Sequence, residues 1–276
     1  MTQLMAGKRG LIMGVANDHS IAWGIAKAVA AAGAELAFTY QGEAFGRRVK
    51  PLAEDVGAKL LLPCDVEDEA SVAAVFEALK AEWGTLDFLV HAIGFSDKNE
   101  LKGRYADTTR ANFSRTMVIS VFSFTEVARQ AAAMMPNGGS ILTLTYGGST
   151  RVMPNYNVMG VAKAALESSV RYLAADYGAD GIRVNAISAG PVRTLAGAGV
   201  TDSRLMYNYQ KKNAPLRRTV AIEEVGSAGL YLLSDLSSGV TGEIHFVDSG
   251  YSIMSMPRID ELKAQERREA ADEPAA

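Results

Sequence analysis

Tyr146-Gly-Gly-Ser-Thr-Arg-Val-Met-Pro154-Asn-Tyr156-Asn-Val-Met-Gly160-Val-Ala-Lys163 is the stretch that decides how the chain is read. The apolar, β-branched run Ser140-Ile-Leu-Thr-Leu-Thr-Tyr146 leads into it and has the character of a buried strand. Gly147 and Gly148 break that strand, and helical periodicity begins near Tyr156, just beyond Pro154. Tyr146 then stands at a strand end, and Tyr156 and Lys163 on the first turns of a helix. Seven helical residues return to nearly the same face, about 10 Å further along the axis. Helical side chains lean toward the N-terminus, so a long lysine can reach back toward the tyrosine. One phenol and one ammonium then face one site near a strand's carboxyl end, which is where open α/β sheets bind ligands.

Working outward, strands are expected at 8–14, 35–40, 59–64, 86–92, 182–187 and 243–247, besides 140–146. Helices are expected at 20–32, 43–56, 67–83, 109–135 (broken near its start), 155–177 and 223–233. This alternation predicts an α/β fold: one Rossmann-like domain over 1–257, with a doubly wound parallel sheet of about seven strands and helices on both faces. Residues 193–218 interrupt the alternation and suit a substrate lid. The charged, Ala-rich tail 258–276 is expected to be partly disordered.

The 276 residues suit one large domain, and 48% hydrophobic with 21% charged residues is the composition of a soluble globular enzyme. A net charge of −3 offers no nucleic-acid surface. Cys64 is the single cysteine, which excludes a disulfide framework. His19, His91 and His245 lie too far apart in sequence for a metal-ligand spacing, so no metal is expected. No signal-peptide pattern precedes the first strand, and Pro-Asn-Gly-Gly interrupts the long uncharged stretch before Tyr146. No membrane segment is expected, and a cytoplasmic location is the simplest reading.

Several strand ends carry candidate ligand residues. Gly14 ends the first strand, and Ser20-Ile21-Ala22 opens the following helix, whose free N–H groups and dipole favour a phosphate. Ser20 and Ile21 stand where the generic Gly-x-Gly-x-x-Gly would place a glycine. Gln41, after the second strand, can bond ribose hydroxyls, and no cation follows until Arg47 and Arg48, which favours NADH over NADPH. Asp65, after the third strand, can accept from an adenine amino group or cap the next helix; Asp68 could cap it equally well. His91 reads as structural, while Ile93-Gly94 allows close approach of a flat ligand. After the sixth strand, Gly190-Pro191 fixes a turn, Val192 onward can meet a nicotinamide amide, and Thr194 can reach a phosphate.

These residues, with Asn185-Ala-Ile-Ser-Ala-Gly190-Pro191, resemble the short-chain dehydrogenase/reductase superfamily. The usual catalytic tyrosine, four residues before the lysine, is Met159 here, and the usual serine falls on Tyr146. Tyr156 stands seven before Lys163 instead. That spacing, the upstream Tyr146 and the Ser20-Ile21-Ala22 loop resemble bacterial NADH-dependent enoyl-acyl carrier protein reductases over roughly residues 1–256. The resemblance implies a cofactor lining of Gly14, Ser20, Ile21, Gln41, Asp65, Val66, Ile93, Lys163, Val192, Arg193, Thr194, Leu195 and Ala196. It implies Tyr146 and Tyr156 as active-site tyrosines, with Lys163 on the nicotinamide ribose and Ser96 near the acyl substrate. It further implies reduction of a trans-2-enoyl thioester carried by acyl carrier protein, and a homotetramer. The lid stretch Thr201-Asp-Ser-Arg204-Leu keeps one basic residue, and Lys211, Lys212, Arg217 and Arg218 could compensate toward an acidic carrier. Two competing readings are a short-chain carbonyl or hydroxyl oxidoreductase, which would lack its donor at Met159, and a cofactor-binding scaffold without catalysis. An enoyl reductase paralogue with a specialised acyl substrate is a further alternative.

Overall fold

The computed structural model describes residues 3–198 and 201–272. Seven strands form one sheet: β1 (Arg9–Met13), β2 (Glu35–Tyr40), β3 (Leu60–Pro63), β4 (Phe88–His91), β5 (Gly139–Thr145), β6 (Ile182–Ala189) and β7 (Ile244–Val247). Their order is β3-β2-β1-β4-β5-β6-β7, and every pairing is parallel. The chain winds outward to β3, then crosses back to lay β4 beside β1. Met13 pairs with His91 at this reversal, so the two strand ends open a crevice there.

Both faces of the sheet are covered, because each strand alternates its apolar side chains between them. Leu11, Met13 and Leu89 pack with α3 (Glu69–Trp83), α5 (Ser123–Ala132) and α6 (Asn157–Tyr177), through Phe76, Phe124 and Leu166. Ile12, Phe88 and Val90 pack on the other face with α1 (Ile21–Ala31), α2 (Gly42–Asp55) and α9 (Ile222–Leu233), through Trp23, Val49 and Leu232.

The helix expected over 109–135 breaks in its middle rather than near its start. α4 (Arg110–Met117) runs into a π turn at Val118–Phe122 before α5 begins. Two buried serines mark the widened turn. Ser120 accepts from the Phe95 N–H at 3.0 Å, and Ser123 donates to the Ile119 carbonyl at 2.6 Å. Side-chain bonds of this kind compete with the regular helical ladder.

The segment 193–218 holds two helices, α7 (Leu195–Ala198) and α8 (Ser203–Asn213); residues 199–200 within it lie outside the described residues. The tail expected to be partly disordered forms α10 (Ile259–Asp272), and its last four residues lie outside the described residues.

Gly14 holds the reversal point together. Its φ is +94°, and a Cβ there would stand 2.1 Å from the Ala92 carbonyl oxygen. Gly14→Ala therefore combines left-handed strain with overpacking, together about 2–5 kcal/mol. The expected result is a melting temperature lower by roughly 5–10 °C, at a few degrees per kcal/mol. An unchanged melting curve by circular dichroism would show that β1 and β4 can separate freely here.

Candidate active site

The helix start beside Gly14 is built differently from a simple serine cap. Ser20 occupies the N-cap position of α1, but its hydroxyl turns back into the loop. It accepts from the N–H groups of Ala16 at 2.9 Å and Asn17 at 3.1 Å. The loop is thereby fixed, and the N–H groups of Ile21 and Ala22 have no partner among the described residues. Two free donors at the end of an eleven-residue helix, in the β1/β4 crevice, form a seat for an anionic phosphate.

The next strand ends fall in line. Gln41 is exposed at the N-cap of α2. Arg47 is 3.7 Å from Glu43 on the same helix. Asp68, not Asp65, caps α3 by accepting from Ala70 N–H at 3.0 Å. Asp65 accepts from Glu67 N–H at 3.0 Å and donates its own N–H to Ser71, and Val66 beside it is buried. Ile93 is half-buried at the end of β4.

His91 is structural. It lies fully buried between Ser123, whose Oγ is 2.9 Å from Nε2, and Thr143. Burial, aided by the charge of Lys163, lowers its pKa to about 3. It is a neutral imidazole at any physiological pH.

Tyr146 follows β5 directly, and Tyr156 sits one residue before α6, at its N-cap rather than on its first turn. Asn155 and Asn157 flank it with φ of +57° and +32°, in the left-handed region that asparagine tolerates. Gly148 lets the loop press against Tyr156, since a Cβ would stand 2.6 Å from its ring. The rings of Tyr146 and Tyr156 meet edge to face, with centroids 5.2 Å apart. The Tyr146 oxygen accepts from Gln210 Nε2 on α8 at 3.2 Å. The Tyr156 hydroxyl has no partner among the described residues.

Burial raises the pKa of both phenols, that of Tyr146 to about 12, and Tyr156 is raised further by its proximity to Tyr146. Both are neutral hydrogen-bond donors. No hydrogen bond joins Lys163 to Tyr156 among the described residues. Its ammonium donates to the Leu144 carbonyl of β5 at 2.7 Å, one strand in from the crevice. The nearby Gly94 backbone leaves room beside it, since a Cβ on Gly94 would stand 3.8 Å from Nζ. Burial lowers the lysine pKa to about 8, against the raising effect of Glu167.

Beyond β6, Val192 and Thr194 are half-buried, and Arg193 and Leu195 are exposed. Ala196 is described by its backbone alone, in α7. Thr194 Oγ1 accepts from Gly197 N–H at 2.9 Å, which leaves its own proton to donate. The Arg193 guanidinium lies over the Tyr207 ring at 4.9 Å and so ties the start of the 193–218 segment to α8. Ser96 is held in a polar cluster, accepting from Thr116 at 2.9 Å and from Asn112 at 3.2 Å. Sequence reasoning missed Gln210, Glu167 and Thr145. Glu167 carried a usable signal, four residues after Lys163 on the same helical face; Gln210 carried none.

Sheet order, phosphate seat and tyrosine–lysine cluster together place the chain among the dinucleotide-dependent reductases of the short-chain type. The model of the enoyl-(acyl carrier protein) reductase family matches residues 14–252, and the chain belongs to that family. Enoyl-[acyl-carrier-protein] reductase [NADH] 2 of Rhizobium meliloti (strain 1021) is 76% identical, over 95% of this chain and 98% of that protein. The corresponding NADH enzyme of Rickettsia typhi is 52% identical, over 94% and 99%. Among solved structures, FabI of Candidatus Liberibacter asiaticus superimposes with a TM-score of 0.92 at 61% identity, covering 94% of this chain and all of that one. The reductase of Anaplasma phagocytophilum, solved with NAD, gives 0.91 at 59% identity, covering 94% and 99%.

Proposed function

We infer that this protein is the NADH-dependent enoyl-[acyl-carrier-protein] reductase of fatty-acid elongation, acting on the trans-2 double bond of acyl carrier protein thioesters. The observation that carries the reading is the neutral, unpartnered Tyr156 hydroxyl beside Tyr146, on the helix that also delivers Lys163. The free N–H groups of Ile21 and Ala22, the ammonium of Lys163 and the Thr194 hydroxyl fit a dinucleotide. When bound, NADH supplies the hydride that reduces C3 of the enoyl chain.

The chain's own residues do the rest. Gly14, Ser20 and Ile21 shape the pyrophosphate seat. Gln41, Asp65 and Val66 meet the adenosine, and the lack of a cation at Gln41 favours NADH over NADPH. Ile93 and Val192, Arg193, Thr194, Leu195 and Ala196 enclose the nicotinamide end. Lys163 donates to the nicotinamide ribose. Charge develops on the thioester oxygen as an enolate, and Tyr156 donates a hydrogen bond to it. Tyr146 accepts from Gln210, so its own proton points away from the lid and orients the acyl group. Ser96 lines the acyl side.

Carrier protein reaches the site over the lid. Lys212 pairs with Glu261 at 3.5 Å and Arg218 with Glu224 at 2.6 Å, so these two do not supply free charge. Arg204, Lys211 and Arg217 have no carboxylate within ion-pair distance among the described residues and are the cations left for an acidic carrier. We place the enzyme in the cytoplasm as a homotetramer. No described helix is long and apolar enough to cross a membrane.

NADH oxidation with a trans-2-enoyl thioester and a 3-ketoacyl thioester, side by side, tests the reading. Reduction of the enoyl substrate alone is expected. Reduction of the keto substrate alone would make the protein a carbonyl reductase and overturn the assignment of Tyr156.

A further inference from the structure

Lys163 is not the only buried charge on its face of α6. Glu167, one helical turn further on, is 94% inaccessible, at 6% exposure, and the mechanism above does not use it. Its Oε1 accepts from the Thr145 hydroxyl at 2.7 Å. Lys163 donates to the carbonyl of the preceding residue, Leu144. Two oppositely charged side chains, four apart on α6, thus grip two consecutive residues of β5, and Tyr146 is the next residue along.

We propose that Glu167 is a positioning residue for Lys163, a buried carboxylate four residues along the same helix that supplies the counter-charge holding the lysine as an ammonium toward the cofactor. The proposal rests on the reading that Lys163 holds the nicotinamide ribose. A carboxylate is an acceptor only, and the Thr145 O–H gives it a donor without a competing charge. An ammonium removed from water by burial otherwise sheds its proton readily. Burial does lower Lys163, and Glu167 is the charge that opposes it.

The other titratable groups packed around the pair leave the window between pH 6 and 10 to the lysine. His91 on β4 is neutral, being lowered to about 3. Tyr146 and Tyr156 are raised above their ordinary values, the first to about 12. On α5, Glu126 and Arg129 act on each other and on Cys64 and Tyr177. On α4, Arg115 is held by Glu67 at 2.8 Å. On β6, Arg183 turns to the carbonyls of Leu232, Ser234 and Val240 on the other face of the sheet.

The test is the pH dependence of NADH affinity, read by fluorescence titration without turnover. In the unsubstituted protein, affinity is expected to fall as pH rises through about 8, where Lys163 loses its proton. Glu167→Gln keeps an acceptor for Thr145 and removes the charge. The midpoint should move down by about one pH unit, the lower end of shifts caused by a neighbouring opposite charge. An unmoved midpoint, whatever the change in affinity at neutral pH, would mean that Glu167 only braces the strand and would overturn the proposal. If Glu167→Gln does not fold, Glu167→Met, which removes the charge and keeps an unbranched stem, decides in its place. A midpoint that moves down supports the proposal, and one that stays put overturns it. Failure of the unsubstituted protein to bind NADH would instead count against the functional reading itself.

Discussion

Tyr156→Phe is expected to bind NADH as the unsubstituted protein does and to turn over trans-2-enoyl thioesters about 10²–10³ times more slowly, the usual cost of one lost oxyanion donor. The substitution removes one oxygen and leaves the ring. The edge-to-face packing on Tyr146 and the contact with Gly148 involve the ring alone, so both persist. The hydroxyl has no partner among the described residues, so its removal orphans no buried group. The fold should therefore melt where it did before. The phenol's pKa is raised by burial and by Tyr146, so Tyr156 stays neutral near neutrality, where it can donate a hydrogen bond but not act as a base.

The loss should appear in kcat and in kcat/KM together, since the donor matters only once charge reaches the thioester oxygen. Steady-state kinetics at saturating NADH, beside a fluorescence titration of NADH, separates the two. Full turnover with intact binding would remove Tyr156 from the chemistry and pass the donor's role to Tyr146.

The sheet was readable because buried parallel strands are continuous apolar runs closed by glycine, as in Ser140 to Tyr146. The candidate site was read from the same runs, whose carboxyl ends converge on the crevice between β1 and β4. What could not be read was the partner of each polar group. Ser20 looked like a helix cap, but its hydroxyl had two nearer donors in Ala16 and Asn17. Lys163 looked as though it would reach Tyr156, because periodicity gives a shared face but not the carbonyl of Leu144 lying closer in space. The π turn at Val118–Phe122 was not read from the hydrophobic pattern, because one extra residue in a single turn is a small break in the periodicity of a long helix. Gln210 on α8 reaches Tyr146 across 64 residues of sequence, a contact that only the packed structure supplies.

Lys163→Met should have the opposite signature to Tyr156→Phe. The methionine keeps a similar unbranched stem in the buried slot on α6 and loses the ammonium. A charge-assisted hydrogen bond contributes about 1.5–3 kcal/mol, so NADH affinity should fall roughly 10–100-fold. Turnover at saturating NADH should fall less, because the Tyr156 donor is untouched. The same ammonium also holds the Leu144 carbonyl at 2.7 Å. Two roles thus compete for one group, and the measurement separates them. If the lysine served the strand alone, the variant would melt earlier yet bind NADH as before. If it serves the cofactor, the dissociation constant moves whether or not the melting temperature does. The variant should also lose the fall in affinity through about pH 8 that titration of Lys163 gives the unsubstituted protein. A flat and weak binding profile would tie both the affinity and its pH dependence to this one ammonium. A weak profile that still fell through the same pH would assign the titration to another group.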